Sequence, residues 1–132
     1  EAFILSVFSN IALVPDGGLS WLLARNIGYS KALEFAIEAK KISSQECLQL
    51  GIANKVCSPE NLESETQKWA QAISMRSPQA VSNTKKIMRD SLEKKFIQTY
   101  EDEANTQNSI LGNDEFKEGV AAFFEKRKPV FK

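Results

Sequence analysis

The sequence contains no histidine. That absence removes every relay built on imidazole. Neither a Ser/His/Asp nor a Cys/His arrangement can be assembled from these 132 residues, so acid and base work falls to carboxylates. Cysteine is nearly as scarce. Cys47 and Cys57 have no ligand-like spacing and no histidine to complete a zinc set, so both are expected to be ordinary reduced thiols and no metal site is expected. Net charge is missing as well: 17 basic residues balance 17 acidic ones. The lysines and arginines are spread rather than striped, which excludes a polyanion-steering face and makes nucleic acid an unexpected partner. No apolar run approaches the length of a membrane span, and no basic segment precedes a hydrophobic one at the N-terminus. Membrane insertion and secretion are therefore not expected, and the cytoplasm is the expected location. The chain has no internal repeat, no low-complexity tract and no linker long enough to separate domains.

What remains is a composition of 42% hydrophobic and 26% charged residues, enough for one core and not for two. Residues 2 to 8 form an apolar run that predicts an extended segment, with helix as the competing assignment. Leu19, Leu22, Leu23 and Ile27 recur at helical spacing and predict a helix over 18–27, stopped by Gly28. A second helix, about 30–39, turns Leu33, Phe35, Ala36 and Ile37 to a core. Ser43 followed by Glu46 is a capping box that opens a short helix over 44–50, and Ile52 to Val56 then predict a short strand or extended segment. From Ser58 onward the pattern is helical. Ser58-Pro59 and Ser77-Pro78 predict helices over 59–75 and 78–91, a third spans 93–111, and Asp114 caps a last one over 115–126. Leu62, Trp69, Ala72, Ile73, Val81, Ile87 and Met88 are the expected core positions of these helices.

The stretch with the most chemistry in it is Asn10-Ile11-Ala12-Leu13-Val14-Pro15-Asp16-Gly17-Gly18, running on to Arg25. Pro15 fixes its own φ and pushes Val14 toward extended backbone, so a strand-like run ends here in a turn. Asp16 is a good N-cap type for a helix opening near Gly18. Its carboxylate has two readings: a cap, or a group presented for chemistry.

Four separated blocks extend beyond this turn: Ile11 to Arg25, Gly28 to Glu34, Ile42 to Val56, and the closing Phe116-Lys117-Glu118-Gly119-Val120-Ala121-Ala122-Phe123-Phe124-Glu125-Lys126-Arg127-Lys128-Pro129-Val130-Phe131. In this order they resemble the second half of the enoyl-CoA hydratase/isomerase (crotonase) superfamily, closest to isomerase-type members with a Pro-Asp-Gly-Gly turn. The resemblance implies a mostly α chain with one or two short strands: residues 1–57 as the C-terminal end of the α/β spiral core, and 58–132 as the helical C-terminal region used for oligomerisation. It implies an acyl-CoA thioester as substrate, with CoA belonging to that substrate and no separate cofactor. A homo-oligomer, trimer or hexamer, and a setting in fatty acid metabolism follow in the same way.

Residue by residue, the resemblance places Phe8 where hydratases of the family carry their second glutamate, which departs from a hydratase. Asp16 stands where isomerase-type members place an aspartate that moves a proton along the acyl chain. One carboxylate acting as both base and acid suits a 1,3-shift. Phe123 and Lys126 match positions that meet the CoA nucleotide of a neighbouring subunit, stacking on adenine and meeting phosphate. The residues alone equally allow Phe123 to pack and Lys126 to be a solvated helix-end charge, and they leave Arg127 and Lys128 facing solvent. The family's two oxyanion-holding N–H donors come from loops that nothing here matches, and losing one such donor costs a factor on the order of 10²–10³. The expectation is thus a C-terminal fragment of a double-bond or ring-opening isomerase, inactive alone. Its alternatives are a hydratase of the same family and a helical interaction module without activity.

Overall fold

The computed structural model describes residues 2–131, which form two compact units divided between Asn61 and Leu62. The chain is mostly helical with two short strands, as the sequence predicts. In the first unit β1 (Phe3–Ile4) pairs antiparallel with β2 (Ile42–Ser43), Phe3 opposite Ser43 and Ile4 opposite Ile42. Between them run α1 (Leu19–Ile27) and α2 (Tyr29–Glu38), and α3 (Ser44–Gln49) follows β2 directly. Leu23, Ala32, Phe35, Ile42 and Cys47 form the buried core, with Leu19, Ala24, Ile27, Leu50, Ile52 and Ala53 packed around it.

The spacing explains which residues went in. Leu19, Leu23 and Ile27 lie at i, i+4 and i+8 and make one stripe along α1, which packs against α2. Leu22, Leu33 and Ile37, expected inside, are exposed because each lies off its helix's packed stripe. The capping box at α3 is complete: the Glu46 N–H donates to Ser43 Oγ at 3.2 Å and the Ser43 N–H donates to the Glu46 carboxylate at 2.9 Å. Those Ser43 hydrogen bonds, the backbone one foremost, hold the Glu46 carboxyl below the usual carboxylate range.

Two extended segments came out differently. The strand at the N-terminus is confined to Phe3–Ile4, and Phe8–Ile11 is a 3-10 helix closed by Ala12 in the left-handed region, so the run into Pro15 is not a strand. No strand forms over 52–56. The Ile52 and Ala53 N–H groups both donate to the Cys47 carbonyl, at 2.9 and 3.0 Å, so this backbone is used to finish α3 rather than to pair. Ser6 is wholly buried, and its hydroxyl has no hydrogen-bond partner.

The second unit holds α4 (Leu62–Ser74), α5 (Pro78–Asp90), α6 (Phe96–Ile110) and α7 (Asp114–Glu125). Ser77 caps α5 by accepting from the Ala80 N–H at 3.0 Å, with Pro78 at the first helical position. Ser58-Pro59 instead opens a 3-10 turn, Pro59–Asn61, so α4 begins only at Leu62. α6 starts three residues later than its pattern suggests, because Ser91 to Lys94 close a turn and Lys94 pairs with Asp102. The cap of α7 is Asn113 rather than Asp114: Asn113 Oδ1 accepts from the Phe116 N–H at 2.7 Å.

Among the described residues of this unit, Ala122 alone is fully buried. Leu62, Trp69, Ala72, Ile73, Val81 and Met88, expected as core, are exposed, Met88 to 68%; Ile87 is half-buried. Helical spacing identifies the face that needs covering. It carries no information on what covers it.

Candidate functional site

The turn at Pro15 is built on two consecutive left-handed glycines, Gly17 at φ +61° and Gly18 at φ +85°. Space is open around both, so it is the backbone conformation that demands glycine. Gly18 holds the N-cap position of α1, and the side chain of Asp16 caps nothing. Only its carbonyl takes a role, accepting from the Leu19 N–H at 3.0 Å. The cap reading of Asp16 is thereby corrected: the carboxylate is exposed and uncommitted. The preceding residue, Pro15, lines a small cavity of about 120 Å³ with Leu19, Leu23, Tyr29, Ala32 and Leu33, and Asp16 itself is not part of that lining. Phe8 opens the 3-10 helix, half-buried, and its carbonyl accepts from the Leu13 N–H at 2.9 Å.

Phe123 and Lys126 lie together in the second unit. Phe123 is 79% exposed at the end of α7 and meets Phe124 edge to face, with centroids 5.7 Å apart. Lys126 closes the helix in the left-handed region at φ +54°, its N–H donating to the Phe123 carbonyl at 3.3 Å. The Arg127 N–H donates to the Ala122 carbonyl at 3.0 Å and completes a Schellman-type end. Phe123 also lines an apolar cleft of about 340 Å³ with Phe116, Val120, Phe124 and Phe131. At the rim of that cleft Ser77 donates to the Glu115 carboxylate, and the Gln79 N–H donates to it at 3.3 Å.

Arg127 does not face solvent idly. Its two terminal nitrogens donate to the two Glu118 oxygens at 2.6 and 2.8 Å, and its Nε donates to Glu125 at 2.6 Å. Glu118 Oε1 accepts a further bond from the Val130 N–H at 2.7 Å. The Arg127 guanidinium, then the Val130 amide, hold the Glu118 carboxyl down at about 2, and the same pairing raises Arg127 further. Nothing in helical periodicity pairs position 118 with 127 across a helix end, so the sequence did not disclose this cluster.

Among the described residues, no group of three or more His, Cys, Asp or Glu side chains could hold a metal ion. Among the described residues, too, no helix is long and apolar enough to cross a membrane.

Comparison with known proteins adds what geometry does not. The family described as enoyl-CoA hydratase/isomerase matches residues 1–132. The trans-2-decenoyl-[acyl-carrier-protein] isomerase of Streptococcus mutans is 36% identical, the match covering 96% of this chain and 48% of that protein. The peroxisomal Delta(3,5)-Delta(2,4)-dienoyl-CoA isomerase of Arabidopsis thaliana is 33% identical over 99% of this chain and 48% of its own length. The crystal structure of an enoyl-CoA hydratase from Polaromonas superposes with a TM-score of 0.94 at 31% identity, covering 99% of this chain and 51% of that one. The chain thus spans about half the length of the curated relatives it matches. With every residue matched by one family and the same fold found in a solved enoyl-CoA hydratase, the chain belongs to the enoyl-CoA hydratase/isomerase family.

Proposed function

We propose that the protein carrying this chain is a CoA-thioester enoyl isomerase in which Asp16 moves the proton. The observation that carries this reading is the commitment of the turn. Two left-handed glycines fix the backbone after Asp16, its carbonyl is used by the helix, and its carboxylate is left exposed, one residue after the Pro15 that lines an apolar cavity. The Asp16 carboxylate takes a proton from C2 of a 3-enoyl thioester, and the C2–H bonding pair enters a dienolate. The new carboxylic acid returns that proton to C4, so the double bond passes from C3=C4 to C2=C3 and Asp16 ends as it began. Phe8 supports isomerisation over hydration in this reading, because the family resemblance aligns this half-buried apolar ring with the glutamate that hydratases use to activate water.

Phe123 and Lys126 are the nucleotide-facing pair in this reading, ring to adenine and ammonium to phosphate. Their exposure and adjacency support it. The substrate carrier is CoA. An acyl-carrier protein, named for one relative, presents the same phosphopantetheine thioester without a nucleotide, and so would make no use of this pair. Residues 1–57 act as the end of the spiral core, and the exposed stripes of α4 to α6 serve homo-oligomerisation. The chain by itself is inactive in this proposal.

Titration calorimetry of CoA into the 132-residue chain tests the nucleotide site: saturable binding is expected, lost in Phe123→Ala. In the complete protein, Asp16→Asn is expected to abolish isomerase turnover and to keep thioester binding. Full turnover in that variant would overturn the role of Asp16.

A further inference from the structure

We infer that Glu118 is a positioning residue for the nucleotide-facing pair, acting through Arg127 to hold Lys126 in place beside Phe123; this rests on the nucleotide reading above. Lys126 is the residue that turns α7 into the tail, and a side chain with a Cβ resists the left-handed conformation it adopts. Something must hold it there, and the bonds on either side do. Before the turn, the Phe123 carbonyl receives the Lys126 N–H; after it, the Ala122 carbonyl receives the Arg127 N–H. Beyond them, Glu118 takes both ends of the Arg127 fork and the Val130 amide.

The consequence is a division of labour among consecutive cations. Arg127 is consumed by Glu118 and Glu125, whereas Lys126 makes no ion pair among the described residues. The clamp needs a planar fork, which arginine supplies and lysine does not. It also reaches the ring wall of the cleft. Phe131 returns along α7 to Gly119, where an added Cβ would stand 3.9 Å from its ring, and Phe131 and Phe123 line the same cavity. One carboxylate therefore fixes the cation and the tail that borders the aromatic.

The test is calorimetric titration of CoA and of adenosine 3′,5′-bisphosphate, its nucleotide end, into the full 132-residue chain at low and high salt. Glu118→Gln and Arg127→Lys are compared with Phe123→Ala and Lys126→Ala, below the melting transition of every variant. Glu118→Gln and Arg127→Lys are each expected to weaken both ligands about fivefold at low salt, the scale of one exposed ion pair. The difference from wild type should shrink but not vanish at about 1 M salt, because contacts of 2.6 and 2.8 Å lie inside the screening length of about 3 Å while the wider charge field is removed. Glu118→Gln also removes one negative charge, which alone would tighten an anion, so a loss runs against the general field.

If Phe123→Ala and Lys126→Ala lose binding but Glu118→Gln and Arg127→Lys do not, the positioning role is overturned and the nucleotide reading stands. A loss that persists undiminished at high salt overturns it too, since Glu118 would then be merely structural. If the wild-type chain does not bind, or if Phe123→Ala and Lys126→Ala bind as wild type does, the nucleotide reading falls and takes this inference with it.

Discussion

The guanidinium of Arg127 meets the carboxylate of Glu118 through two hydrogen bonds of 2.6 and 2.8 Å, across the left-handed turn at Lys126. Because the pairing lowers the folded-state pKa of Glu118 from 4.5 to about 2, the unfolded chain takes up this proton first as pH falls. The contribution to stability is complete above about pH 4.5 and is lost as pH falls toward about 2. The melting temperature of wild type should therefore exceed that of Glu118→Gln at neutral pH. Their difference should shrink between about pH 4.5 and 2, and a pH-independent difference would count against the clamp.

Ser6 offers a test of opposite sign. Its hydroxyl is wholly buried without a partner, and an unsatisfied buried polar group costs about 1–3 kcal/mol. Ser6→Ala is expected to leave stability unchanged or to raise it by up to about 1 kcal/mol, read by urea denaturation. A clear destabilisation would mean that the hydroxyl is hydrogen-bonded.

At the candidate active-site turn, Gly18→Ala places a Cβ at φ +85° with nothing to clash against. The expected loss of stability, about 1–2 kcal/mol, would come from the backbone alone. In the complete protein the same variant should lower turnover, because Asp16 sits two residues before the altered backbone. Normal turnover and normal stability together would show that the turn does not require glycine.

The two thiols should separate cleanly under alkylation. Cys47 is 4% exposed, burial pushes its thiol above the ordinary value, and its Sγ lies 3.9 Å from the Ile42 carbonyl. Cys57 is half-buried. Iodoacetamide followed by peptide mass mapping should label Cys57 in the folded chain and Cys47 only after denaturant is added. Equal rates without denaturant would mean that the first unit opens readily.

The legible features of the fold are those written within a few residues of sequence. The Ser43-Glu46 box and the Ser77-Pro78 start depend on neighbours three residues apart, and both formed as read. Leu19, Leu23 and Ile27 gave the packed stripe of α1 for the same reason. Of the two forms expected over 52–56, strand or extended segment, no strand formed, because the Ile52 and Ala53 donors were claimed by Cys47, a competition that β-propensity does not register. Asp16 was visible as a turn residue. That it caps nothing depended on the actual φ of Gly17 and Gly18, since glycine permits left-handed backbone without dictating it.

By itself the sequence determined the class of fold, the order and approximate extent of its helices, the lack of imidazole chemistry, and the resemblance to the enoyl-CoA hydratase/isomerase family, which at that level the match over residues 1–132 bears out. These are local or compositional properties, set by spacing and residue type. The tertiary structure decided which apolar stripes are covered, that Asp16 is left uncommitted, and that Glu118 reaches Arg127 and Val130. Each of those depends on where the chain turns, and a turn at a residue such as Lys126 is stabilised by contacts on both sides of it rather than by its own preference.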